Sequence, residues 1–87
     1  MVKKPLGGKP RKPSVLMQRL GAEIRRRREC LGISQSEVAR LGETDRLFLG
    51  LVERGEKNAS IETLERISRV LNVRLSTLVA KAERGNS

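Results

Sequence analysis

The stretch from Ser34 to Gly55, SQSEVARLGETDRLFLGLVERG, constrains the fold more than any other part of the chain, because it packs two helix starts and two stops into a short span. Ser34 is a good N-cap, and Glu37 three residues on makes a capping box. Val38 and Ala39 then face inward. Gly42-Glu43-Thr44 interrupts the run as a turn. Asp45 offers a second N-cap, and its charge suits the positive end of a helix dipole. Leu49 and Val52 recur three apart on one side, and Gly55 ends the element. The reading is a helix over about Gln35 to Leu41, a tight turn, and a second helix over about 45–54.

The flanking segments read as helices too. Ser14 can cap a helix over about Val15 to Leu31, stopped by Gly32, with Leu16, Leu20, Ile24 and Leu31 at helical spacing and one slot left for Arg27 or Arg28. Ser60 can cap another, whose Ile61, Leu64, Ile67 and Leu71 form an amphipathic face, with Asn72 as its stop. Val73 and Leu75 then bridge to Ser76, expected to cap a short last helix carrying Leu78 and Val79. No alternating strand pattern and no internal repeat is present. The expected fold is all-α, a compact five-helix unit over 14–83. Before it lies a basic arm over 1–13, rich in Pro and Gly and expected to be disordered in isolation. After it comes a fraying end over 84–87.

Composition removes several function classes. The chain has no Trp, no Tyr and one Phe, so it lacks an aromatic platform for stacking single-stranded bases. It has no His and one Cys, Cys30, which argues against His-based acid–base chemistry, zinc clusters and an internal disulfide. A lone Cys fits a reducing, cytoplasmic setting. The apolar runs fall far short of the roughly 18 residues of a membrane span, and no apolar h-region follows the first basic residues. No nucleophile–base pair, metal set or phosphate loop is found, so neither an enzyme nor a cofactor is expected. Eighty-seven residues allow one domain. Chains of this size bury only roughly 60% of their unfolded surface, which favours a partner subunit.

The charge is lopsided. Lys3, Lys4, Lys9, Arg11, Lys12, Arg19 and Arg25 to Arg28 face one acid, Glu23, whereas from Glu29 onward acids and bases balance, so the whole net charge of +9 sits on the leading third. Such a patch attracts phosphate in a salt-dependent way, or serves as a solubilising tail.

Two short helices about a tight turn in a strongly basic chain have the layout of a helix-turn-helix, whose second helix enters the major groove. The chain resembles the xenobiotic-response-element, lambda-repressor-like helix-turn-helix family over about Leu20 to Ala80. The marks are Leu20-Gly21, Ile24-Arg25, Arg28, Gly32-Ile33-Ser34-Gln35, Glu37-Val38-Ala39, Val52-Glu53-Arg54-Gly55 and Ile61-Glu62-Thr63-Leu64. Asp45-Arg46, Gly50 to Gly55 and Asn58 look most like the controller proteins of restriction–modification systems. The resemblance implies a homodimer that binds double-stranded DNA at a two-fold operator and controls transcription as repressor or activator.

It also implies residue roles. Arg46, Leu47, Gly50 and Leu51 lie on the base-reading face. Arg46 is the candidate for donating two hydrogen bonds to guanine. Ser34, Gln35, Arg54, Lys57 and Asn58, with Arg25, Arg26, Lys9, Arg11 and Lys12, are phosphate candidates, and Gln35 is also expected to buttress the reading helix. Arg28 and Glu53 match a salt bridge between the first and third helices. Leu75, Leu78 and Val79 give more apolar surface than a short terminal helix needs, and match the family's dimer interface. Two departures stand out. Leu47 and Leu51 replace residues that are usually polar. They could read thymine methyls, form a patch for a protein partner as in an antitoxin or adaptor, or signal a rotated helix. The turn glycine falls one residue early, at Gly42 rather than at Glu43.

Overall fold

A computed structural model of the chain describes residues 11–85. Within them lie five helices and no strand: α1 (Val15–Leu31), α2 (Gln35–Leu41), α3 (Arg46–Glu53), α4 (Ile61–Val70) and α5 (Leu75–Glu83). Lys9 and most of the expected arm, and the last two residues of the expected fraying end, lie outside the described residues.

Helix starts follow the caps. Ser14, Ser34, Asp45 and Ser60 accept from the backbone N–H groups of Met17, Glu37, Phe48 and Thr63 at 3.1, 3.0, 2.8 and 3.1 Å. Each bond satisfies a donor that the first helical turn leaves unpaired. The capping box at Ser34 is half formed, because the Glu37 carboxylate accepts from Arg40 Nη2 instead. Ser76 is not a cap. Helix α5 begins earlier, after Arg74, which contributes no side-chain cap. Its start is set by tertiary packing of Leu75, Leu78 and Val79 rather than by local chemistry.

The stops are left-handed residues. Gly32 has φ 71°, and Ile33 N–H reaches back to the Arg28 carbonyl at 3.2 Å. The turn between α2 and α3 uses Glu43, at φ 56°, and not Gly42. Gly42 instead satisfies a space requirement: a Cβ there would lie 3.0 Å from the Val38 carbonyl oxygen.

The core gathers Leu20 and Ile24 of α1, Val38 and Ala39 of α2, Leu49 and Val52 of α3, Leu64, Ile67 and Leu71 around α4, and Leu78 and Ala82 of α5. Helix α1 packs on α5 and α3, while α2 bridges α3 and α4. Leu16, Leu31 and Ile61, expected inside, are exposed. Ile61 is the first residue of α4; for Leu16 and Leu31 of α1 the reason is length. Helix α1 has 17 residues and α3 only 8, so α1 rises about 25 Å against about 12 Å and overhangs the core at both ends. The buried stripe of α1 also includes Glu23, 1% exposed, which accepts from Arg26 Nε at 3.2 Å.

Candidate nucleic-acid interface

Three side chains from three helices hold α3 in place. Arg28 Nε donates to Glu53 Oε2 at 2.7 Å and Arg28 Nη2 donates to Glu53 Oε1 at 3.1 Å, a two-pronged contact. Arg28 Nη1 also donates to the Ile33 carbonyl at 2.9 Å. From the start of α2, Gln35 Nε2 donates to Glu53 Oε1 at 2.9 Å. The pair is enclosed, with side chains 12% and 1% exposed. The Glu53 hydrogen bond pushes the Arg28 guanidinium above its ordinary pKa, so it stays charged. Among the described residues no buried side-chain polar atom lacks a partner, which is what a buried charge pair requires. Gln35 therefore acts on α3 through Glu53.

Helix α3 turns Leu49, Val52 and Glu53 inward. Arg46 and Leu47 face out, Leu47 being 64% exposed, and Leu51 is half-buried. Asp45 is committed to capping, and among the described residues the Arg46 side chain has no hydrogen bond or ion pair. Gly50, expected on the outward face, is buried instead. The Arg54 and Gln35 side chains lie over it, about where a Cβ would meet them at 3.5 and 3.6 Å. Ser34 has its hydroxyl engaged in the cap.

The arginine run of α1 divides its work, because successive residues step about 100° around a helix. Arg25 pairs with Glu29 at 3.0 Å on the surface. Arg26 pairs with buried Glu23, whose hydrogen bond foremost and charge next raise the Arg26 pKa. Arg27 donates to the Leu71 and Asn72 carbonyls at 3.3 and 3.1 Å, where the end of α4 leaves acceptors unpaired. Arg28 holds Glu53. The two phosphate candidates, Arg25 and Arg26, are thus both already ion-paired.

Residues far apart in sequence meet at the end of α3. Asn58 Nδ2 donates to the Arg11 carbonyl at 3.1 Å, and Gln18 Nε2 to the Pro13 carbonyl at 3.1 Å. Arg11, Lys12 and Pro13 then line a cleft with Glu56, Lys57 and Asn58. Asn58, expected on a phosphate, thus has one amide donor on the arm. Arg54 Nε lies 3.4 Å from Glu56.

Three residues position the helices through contacts that spacing along the chain does not announce, although Gly21 is also one of the family marks. A Cβ on Gly21 would lie 2.0 Å from the Val52 carbonyl oxygen, so only glycine lets α1 and α3 approach this closely. Arg66 Nε donates to the Gly42 carbonyl at 2.9 Å, tying α4 to the turn before α3. Arg27 ties α1 to the end of α4. Of the expected dimer residues, Leu78 is 1% exposed and belongs to the monomer core, while Leu75 and Val79 are half-buried.

The helix-turn-helix family model (HTH_3) matches residues 24–78. Among solved structures, the clp gene regulator ClgR from Corynebacterium glutamicum is 25% identical with a TM-score of 0.78, covering 86% of this chain and 79% of its own. The restriction–modification controller protein C.AhdI from Aeromonas hydrophila is 31% identical with a TM-score of 0.69, covering 71% of this chain and 94% of its own. SinR, the master regulator for biofilm formation, solved in complex with DNA, is 36% identical with a TM-score of 0.65, covering 69% of this chain and 97% of its own. Its N-terminal DNA-binding domain from Bacillus subtilis gives 35% and 0.66, covering 71% and 91%. A comparison with curated proteins found no match.

Proposed function

We propose, because this chain belongs to the helix-turn-helix family, that it is a DNA-binding transcriptional regulator of the cytoplasm. It acts as a homodimer on duplex DNA, with α3 in the major groove. The observation that carries this is the pairing of Arg46 and Leu47: both are exposed, on a helix whose other side is locked through Glu53 to Arg28 and Gln35. A rigid helix with a free guanidinium can donate to O6 and N7 of guanine. Leu47, with the exposed part of Leu51, meets thymine methyls. Lys57, Arg11 and Lys12 supply phosphate contacts, which position without reading sequence, while Arg54 is paired with Glu56. The working unit is 14–83, with 1–13 as the basic arm.

Dimerisation through Leu75 and Val79 of α5 sets two copies of α3 about 34 Å apart, facing a two-fold operator. C.AhdI, a restriction–modification controller protein, and ClgR, a gene regulator, make control of a gene circuit the natural role. Gel shifts on the protein's own promoter region at two salt concentrations test this. The expected result is a specific complex that weakens steeply with salt. Equal affinity for random duplex sinks the sequence-specific version.

The exposure of Leu47 favours one second reading, an adaptor or antitoxin whose leucine patch grips a protein. Changing Leu47 and Leu51 to Gln separates the two. Loss of a protein partner with DNA binding intact supports the adaptor.

A further inference from the structure

We propose that the root of the arm and the loop after α3 form one preorganised clasp for the DNA backbone, latched by Asn58. The clasp rests on the duplex-binding reading above. Its geometry comes from two bonds that pin the same short segment from two sides. Gln18 of α1 holds the Pro13 carbonyl, and Asn58 of the loop holds the Arg11 carbonyl, each at 3.1 Å. Pro13 stiffens the segment further, since its ring fixes φ and biases Lys12 toward extended backbone.

The cleft so formed has a volume of about 280 Å³ and is lined by Arg11, Lys12, Pro13, Glu56, Lys57 and Asn58. Glu56 faces Arg54, and among the described residues the Arg11, Lys12 and Lys57 side chains have no ion pair. Three uncommitted cations therefore sit together just past the helix that presents Arg46. In sequence Arg11 and Lys12 follow on from Lys3, Lys4 and Lys9. A flexible basic tail must be ordered when it binds, and that ordering weakens the complex. Here the root is ordered beforehand. Asn58 is a positioning residue: its amide serves the arm, and the arm serves the phosphates.

The test uses the full chain and a duplex of random sequence, because a backbone clasp is indifferent to sequence. Fluorescence anisotropy is measured over a salt series for the natural chain, Asn58→Ala, the pair Arg11→Ala with Lys12→Ala, and all three together. The slope of log K against log salt should flatten by about 1 to 2 in the paired variant, at about 0.9 per phosphate released. Asn58→Ala alone should keep the wild-type slope but bind several-fold more weakly at every salt concentration, because it removes no cation and only restores the cost of ordering the arm. Added to the paired variant, it should weaken binding little further. Wild-type affinity in Asn58→Ala across the salt series, with flattening in the pair, overturns the latch. A wild-type slope in the pair overturns the clasp, and that measurement stands even if Asn58→Ala fails to fold. A natural chain that binds no duplex overturns the functional reading itself, an outcome distinct from both.

Discussion

Gly21 and Gly50 are both buried helical glycines, yet a methyl group would meet different things at each. At Gly21 it would collide with the Val52 backbone, which cannot move without displacing α3. Gly21→Ala should cost about 3 kcal/mol or unfold the chain, since overpacking a tight contact typically costs about 1–3 kcal/mol. At Gly50 the nearest atoms are flexible side-chain ends at 3.5 Å or more. Gly50→Ala should stabilise by about 0.5–1 kcal/mol, through helix propensity and a less free unfolded chain. Glu43 holds a left-handed conformation without being glycine, a strain of about 1 kcal/mol that Glu43→Gly should relieve. Urea denaturation of the three variants checks all three signs. Leu47 carries a prediction about DNA. Replacing operator thymines by uracil should weaken binding about fourfold per contacted methyl, from about 0.8 kcal/mol of lost apolar burial. Leu47→Ala should abolish that sensitivity.

Helices α1, α2 and α3 are bound together by charge as well as by apolar packing. Glu53 accepts from both Arg28 and Gln35. Removing Arg28 leaves a carboxylate in a site with 1% side-chain exposure. Arg28→Met should therefore cost about 3–5 kcal/mol, as breaking one side of a buried pair does, whereas changing both residues to matched apolar ones should cost far less. A double-mutant cycle read by thermal melting checks this. The caps made most helix starts legible in the sequence, because a Ser or Asp side chain satisfies donors three residues away. The start of α5 was not legible, because no side chain caps it and packing alone places it. The capping box at Glu37 was over-read for a related reason: a carboxylate within reach of two donors took the nearby arginine.

For the whole molecule, a small core sets the terms. Leu78 closes that core against α1, so Leu78→Ala should cost about 2–5 kcal/mol by leaving a cavity. Leu75 and Val79 stay half-buried on the same helix. If α5 forms the two-fold interface, Val79→Glu should give monomers in sedimentation at concentrations where the natural chain is dimeric, with its helix content kept. Dimers that persist in Val79→Glu rule out α5 as the interface. Among the described residues no helix is long and apolar enough to cross a membrane. The charge excess of the leading third is also redistributed by folding. Arg25, Arg26 and Arg28 are matched by acids, and Arg27 by carbonyls. Arg11 and Lys12 are left facing Lys57.

The sequence by itself determined the class, most element ends and the Arg28–Glu53 correspondence. These depend on spacing along the chain, on caps three residues long and on motif marks. It also singled out Arg46 and Leu47 as outward residues. Only the tertiary structure decided which leucines are core, because burial depends on where a neighbouring helix stops. It likewise decided that Gly50 is covered, that Gly21 is a contact point, and that Asn58 turns toward the arm. Those outcomes come from atoms brought together across tens of residues, a proximity that no local pattern encodes.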